Sequence, residues 1–414
     1  MTPTDLGRLR RRTLGLLAAG QILGGLGTGA ALSVGALAAY DLAGETWSGM
    51  AATMSTLGAA ALAIPLARLA DRHGRRISLS TAAIVAAVGL GLCVLGVALS
   101  LVIVLFLGLA AAGAATAAAL QSRFAATDLA APATRGRDLS LVVWSTTIGA
   151  VIGPNLAQPG ETLGQSLGLP GLSGVFVFAV IAQLLAASSY ALFLRPDPLV
   201  ISRRLQLDRL RLSDDSGTAP KRDPAGQPAL VRLAILAVSL SHATMVALMA
   251  MTPVHLVHGG ATLSVVGLTI SLHIAGMFGL SPVFGVLSDR VGRIPTILLG
   301  QCLLILAALI TALGSESHHL VMLGLFTLGL GWSASTVAGS ALLSDAAPAA
   351  DRVRLQGRSD LAMNLSGALG GALSGPTLFL FGYAGLAWGL LLPIIVVVAT
   401  SLVGLARQPV RVSR

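Results

Sequence analysis

The sequence predicts an all-α integral membrane protein of twelve transmembrane helices arranged as two six-helix bundles. Three observations carry that prediction. Apolar runs long enough to cross a bilayer recur along the chain, basic residues are confined to alternate breaks between them, and two unrelated motifs repeat at nearly one spacing.

Composition sets the class. The chain is 55% hydrophobic and only 11% charged, against about a quarter charged in a soluble globular protein. Its mean hydropathy of +0.84 agrees. The net charge of +10 does not point to nucleic acid, because the positive residues fall in short breaks between apolar runs instead of forming one basic face. Cys93 and Cys302 lie inside apolar runs and read as small hydrophobes, not as a disulfide or a metal pair. The sequence implies no cofactor and no metal. A membrane-embedded enzyme would need clustered acids, a metal set or a nucleophile–base pair, and no such set is found.

A membrane helix needs roughly 20 apolar residues. Counting such runs gives twelve, at 13–39, 47–69, 77–98, 101–123, 139–158, 173–194, 230–253, 262–286, 294–314, 320–343, 359–382 and 385–406. Gly and Pro within them do not argue against helix, because membrane helices tolerate both. Arg8, Arg10, Arg11 and Arg12 ahead of the first run, with Ala36-Leu37-Ala38 near its end, imitate a signal peptide. The run is too long for a signal h-region, and removing it would leave an uneven set, so it reads as the first transmembrane helix.

With the N-terminus inside, all 27 Lys and Arg residues fall on inner segments, while the outer loops carry Asp41, Glu45, Glu161 and Glu316. The positive-inside rule then places both termini in the cytoplasm and fixes an even number of crossings. The expected location is the cell membrane, inner or plasma, with the lipid bilayer as surrounding partner. The longest polar break, 195–229, separates a first half at 1–194 from a second at 230–414. It holds Asp214-Asp215-Ser216-Gly217, Pro220, Pro224 and the sole lysine, Lys221. Within it, Leu199 to Leu212 mixes Leu with Arg. That pattern suits either an amphipathic helix on the inner leaflet or a disordered basic linker.

The break between the second and third runs reads Ala67-Arg68-Leu69-Ala70-Asp71-Arg72-His73-Gly74-Arg75-Arg76, and the break between the eighth and ninth reads Gly285-Val286-Leu287-Ser288-Asp289-Arg290-Val291-Gly292-Arg293. Gly74 and Gly292 permit a tight turn between two helices. Asp71 and Asp289 can accept from helix N-terminal amides or pair with arginine. The two aspartates are 218 residues apart. A second motif, G-x-x-x-G-P, occurs as Gly149, Gly153 and Pro154 in the fifth run and as Gly371, Gly375 and Pro376 in the eleventh, 222 residues apart. Small residues four apart let helices approach closely, and Pro permits a bend. Two motifs at nearly one offset argue for parallel repeats.

A D-R-x-G-R loop used twice in this way resembles the signature loop of the major facilitator superfamily, whose members are twelve-helix secondary transporters. Ala67 stands where that family usually has Gly, and Ile294-Pro295 where it often has another basic residue. The G-x-x-x-G-P element resembles the motif of the family's drug–proton antiporters. In the fourth run, Leu109-Ala110-Ala111-Ala112-Gly113 puts Leu109 where those antiporters carry an arginine. The resemblance implies alternating access by a monomer. Asp71, Arg72, Gly74, Arg75, Arg76, Gly285, Asp289, Arg290, Gly292 and Arg293 would act as gate residues, and protons would be the coupling ion.

Ionisable residues deep in a membrane helix are functional candidates by default. No carboxylate lies near the middle of any run, but His242 and His273 do, at similar depth in the seventh and eighth. Imidazole titrates near neutral pH, so both are candidates for a proton or a substrate; the structural alternative is that each bonds a neighbouring helix. Gln21, Gln121, Trp144, Asn155, Ser241, Trp332, Ser333 and Asn364 are further cavity candidates, with interhelical bonding as the bland alternative. Asp128, Asp138, Asp345, Asp351 and Asp360 lie close to arginines at helix ends. They read either as inner-gate ion pairs or as solvated charge. A cavity without buried charge favours neutral or weakly basic amphipathic solutes, moved outwards against protons as in multidrug efflux. A permease for one specific metabolite is the other reading.

Overall fold

The computed structural model describes residues 3–43, 50–152, 157–215 and 227–406. Within them the regular structure is helical: α1 (Pro3–Ala43), α2 (Met50–His73), α3 (Arg75–Ala98), α4 (Val102–Ala125), α5 (Arg135–Ile152), α6 (Ala157–Ser166), α7 (Gly171–Phe193), α8 (Pro198–Asp215), α9 (Pro228–His258), α10 (Leu263–Phe278), α11 (Ser281–Arg290), α12 (Arg293–Leu313), α13 (His318–Ala346), α14 (Arg352–Gly389) and α15 (Leu391–Ala406). A 3-10 turn at Pro132–Thr134 precedes α5.

Among the described residues, nine helical stretches are long and apolar enough to cross a membrane. The longest, Arg352–Ala406, contains both the eleventh and twelfth predicted runs, and Gly382, with φ 69° and ψ −179°, is a non-helical kink between two helical segments of it. The predicted first and fifth runs correspond to α1 and α5, parts of which fall outside the described side chains or residues. The predicted eighth run is two helices, because Pro282 lacks an amide proton and starts α11 afresh after α10. The predicted linker contains α8, so its first part is helical, while residues 216–226 lie outside the described set.

The chain forms two compact units. The first comprises Met1–Ala131, Leu141–Arg222 and Val353–Asn364. Its core packs Leu17, Leu66, Leu79 and Tyr190 in one cluster and Leu90, Cys93, Leu105 and Phe176 in another. The second comprises Pro132–Ser140, Asp223–Arg352 and Leu365–Arg414, with Leu248, Ile297, Leu304, Leu325 and Val337 buried within it.

With so few large polar groups, helix contact depends on small residues that bring backbones together. In the first unit a Cβ on Gly89 of α3 would lie 2.5 Å from the Ala112 nitrogen of α4. In the second, a Cβ on Gly276 of α10 would lie 2.5 Å from the Phe326 carbonyl oxygen of α13. Gly276 follows Gly58 by 218 residues, and Gly58 meets the Ala110 carbonyl of α4 in the same manner. The repeat read from the loops therefore extends into the helix crossings.

Candidate functional site

The first loop closes α2 at His73 and opens α3 at Arg75, with Gly74 at φ 90° between them. Arg75 points inwards and is 1% exposed. Its Nε donates to Asp128 Oδ2 at 2.9 Å and its Nη2 to Gln356 Oε1 at 2.7 Å. Asp71 pairs with neither Arg72 nor Arg75. Its carboxylate accepts from Arg203 of α8 at 2.5 Å, with Arg354 at 3.9 Å. Asp71 thus pairs with arginine, as its position allows, but with one from α8: Arg75 is taken up by Asp128, and α8 brings Arg203. Asp197, unremarked in the sequence, accepts the Arg76 amide at 2.7 Å and the Leu199 amide at 3.0 Å, so it caps α3 and α8 together. Arg72 is exposed and Arg76 partly so. A second buried pair joins Arg123 Nη2 to Asp360 Oδ1 at 2.6 Å, both nearly solvent-free. Asn364, one turn on, bonds the Asp360 carbonyl at 2.8 Å.

The second loop repeats the plan inside the second unit. Gly292 holds φ 115° ahead of Arg293. Arg293 Nε donates to Asp345 Oδ2 at 2.9 Å, as Arg75 does to Asp128. Asp289 accepts the amides of Gly136 and Arg137 at 2.9 and 2.8 Å, at the start of α5, where the helix dipole favours an anion. It also pairs with Arg293. Arg135 reaches Asp345 at 2.5 Å. Gly285 packs so closely on Ser140 and on the Gly136 carbonyl that a Cβ there has no room. Arg290 is exposed. Of the five helix-end aspartates, Asp128, Asp345 and Asp360 are paired with arginine and are not merely solvated charges.

The two mid-run histidines have separate partners on α13. His242 Nδ1 accepts from Trp332 Nε1 at 3.0 Å, and Phe278 meets Trp332 edge-on with centroids 5.7 Å apart. His273, wholly buried, donates from Nδ1 to the Leu325 carbonyl at 2.8 Å. Trp332 and Leu325 are seven residues apart on α13, about 10 Å along the axis. Phe278 was missed; the sequence signal was its rarity, one aromatic among few.

The other candidates are mostly interhelical bonds. Gln21 donates to the Ala119 carbonyl at 2.8 Å, and Gln121 Oε1 accepts from Ser78 at 2.9 Å. Ser241 accepts from Gln301 at 2.9 Å. Ser333 is buried, and Trp144 is 38% exposed. Asn155, Gly153 and Pro154 lie outside the described residues. Gly149 does bring α5 onto α1, where a Cβ would lie 2.5 Å from the Ile22 carbonyl. Gly371 and Gly375 are not at a close approach: the nearest atom to a Cβ is 3.5 Å away at the first and beyond 4 Å at the second, beside an exposed Pro376. Gly370 takes that role, 2.6 Å from the Ala243 carbonyl of α9.

A family model of the Major Facilitator Superfamily matches residues 17–259 and 233–413. The chain is 37% identical over 376 residues to the uncharacterized MFS-type transporter YdeG of Bacillus subtilis, covering 90% of this chain and 87% of that one. It is 26% identical over 395 residues to the riboflavin transporter RfnT of Brucella anthropi, covering 95% of each. Among solved structures it is similar to the proton:xylose symporter XylE, with a TM-score of 0.75 at 15% identity over 97% of this chain and 96% of that one.

Proposed function

The chain belongs to the major facilitator superfamily, and we propose that it works as a secondary active transporter exporting small amphipathic solutes in exchange for protons. Membrane transport follows from the family; direction, coupling and solute are the proposal. The division into bundles at 1–194 and 230–414, cytoplasmic termini and action as a monomer belong to the same reading.

The observation that carries it is the repeated pairing of a loop arginine with an aspartate, Arg75 with Asp128 and Arg293 with Asp345. Arg75 and Asp128 are buried, and a buried charge pair holds only while complete, because a lone buried charge is strongly unfavourable. A conformational cycle that separates and re-forms them passes between two discrete arrangements, as alternating access requires. Asp71 and Asp289 would then bias the cycle towards one arrangement without touching solute. The close α1–α5 contact at Gly149 supports the exporter reading, since it falls in the antiporter-like element.

Proteoliposomes with an imposed pH gradient test the coupling. Solute movement out of the cytoplasm-equivalent face should follow the gradient and collapse when a protonophore dissipates it. Flux indifferent to the gradient would leave uniport. The second reading, a permease for one metabolite, is favoured by the likeness to a riboflavin transporter. Saturable flux of riboflavin, with amphipathic amines unable to compete, would select it.

A further inference from the structure

In the second unit Arg135 and Arg293 are both paired with Asp345. Three arginines of the first unit converge without such a partner. Arg12 of α1 donates from Nη2 to the carbonyl of Phe193, the last residue of α7, at 3.2 Å. Arg76, in the first turn of α3, donates its amide to Asp197 at 2.7 Å. Arg195 lies between these two contacts, two residues after Phe193 and two before Asp197. Two residues of chain span at most about 7 Å, so the three arginines border one small area. Arg12 and Arg195 are exposed there and Arg76 partly so. Asp197 sits among them but does not pair with their guanidinium groups. Its oxygens accept the amides of Arg76, Leu199 and Val200 at 2.7, 3.0 and 3.3 Å, at the N-termini of α3 and α8.

The surface leading to this area is apolar. Ile181, Leu185 and Leu192 form one exposed stripe along α7, which ends at the exposed Phe193. On the other side, α8 starts three residues after Arg195. It exposes Val200, Arg204 and Leu207 along one stripe. Apolar beside basic on one helix face is the pattern of a helix lying at a membrane surface.

We propose that Arg12, Arg76 and Arg195 hold the phosphate of an anionic phospholipid whose acyl chains lie along the exposed stripe of α7. A guanidinium has five N–H donors in a fork that matches phosphate oxygens, and Arg12 has committed one of its donors. A zwitterionic lipid brings an ammonium that three arginines repel. Free phosphate satisfies the guanidinium groups but leaves the apolar stripe uncovered. The site needs the membrane location of the family and none of the solute, direction or coupling proposed above.

The test uses the full chain in dodecyl maltoside, with bound lipid counted by native mass spectrometry. Dioleoylphosphatidylglycerol should be retained at about tenfold lower concentration than dioleoylphosphatidylcholine, which has the same chains. Arg12→Gln with Arg195→Gln should weaken the anionic lipid about tenfold and erase most of that preference. Arg137→Gln with Arg232→Gln removes two exposed charges from the second unit and should leave the preference intact. Added salt should weaken retention of the anionic lipid alone. Inorganic phosphate should compete poorly, because it lacks the chains. Arg195→Gln by itself changes one exposed side chain and should cost about threefold. It decides the matter if the double variant fails to fold.

Equal retention of the two lipids overturns the proposal. So does an unchanged preference in the folded Arg12 and Arg195 variants. An equal loss in the Arg137 and Arg232 pair would reduce the effect to general attraction by a positive protein, and the site falls with it. Inorganic phosphate that displaces the lipid at matching concentration would make this an anion site, and the lipid assignment is then wrong.

Discussion

Arg203 holds Asp71 at two points, with Nη2 on the carboxylate at 2.5 Å and Nη1 on the backbone carbonyl at 2.6 Å. The end of α2 and the second turn of α8 are thereby one hydrogen-bonded piece. The Arg203 side chain is 41% exposed, so the pair contributes only about 0–1 kcal/mol to stability. Its effect is on geometry. Arg203→Ala should lower solute flux in proteoliposomes by about threefold to tenfold while the melting temperature stays nearly constant. Arg203→Lys should restore only part, because an ammonium is a single point and the guanidinium spans both oxygens. Parent-like flux in the alanine variant would mean that α8 is idle.

Asp289 is held more firmly than Asp71. It accepts two amides and an arginine, and its side chain is 7% exposed against 21%. Each hydrogen bond to a charged group contributes about 1.5–3 kcal/mol. Asp289→Asn should therefore reduce flux by about tenfold or more, and at least as much as Asp71→Asn. Equilibrium solute binding should survive in both, because the change shifts populations and leaves the binding site alone. Binding lost in well-folded protein would count against a gating role.

Arg123 and Asp360 form a pair that water scarcely reaches, with side chains 3% and 2% exposed. Arg123→Ala leaves Asp360 buried and unpaired, a loss of about 3–5 kcal/mol. The single variant should melt many degrees lower. Arg123→Met with Asp360→Leu should recover most of the stability, since an apolar replacement of a buried pair is often neutral. Flux should not recover with it if the pair serves the cycle. Full recovery of both would reduce Arg123 and Asp360 to packing.

The repeated loops, the apolar runs and the all-α class were legible because hydropathy and charge alternation are local properties. Partners were not. Arg203 lies 132 residues from Asp71, and nothing in a Leu- and Arg-rich linker distinguishes it from its neighbours. Asp197, beside a proline in the same linker, gives no sign that it caps two helices. His242 and His273 read at similar positions along their runs, but position along a run says nothing of azimuth. One residue along a helix turns the side chain by about 100°, enough to give them separate partners on α13. The same rotation explains why the motif spacing marked Gly371 when the contact is at Gly370.

That one-residue difference can be tested directly. A Cβ on Gly370 would lie 2.6 Å from the Ala243 carbonyl oxygen, and backbone cannot step aside as a side chain can. Forcing α9 and α14 apart should destabilise the protein by about 1–3 kcal/mol. Gly370→Ala should therefore melt lower and give a smaller folded fraction on size exclusion. At Gly371 the nearest atom is 3.5 Å away, an ordinary contact, and at Gly375 there is none within 4 Å. Alanine at either relieves the entropy of glycine in a helix, about 0.5–1 kcal/mol. Gly371→Ala and Gly375→Ala should consequently match or exceed the parent in melting temperature. If instead Gly375→Ala is the damaging change, the α9–α14 crossing is built in the register of the motif and not one residue before it.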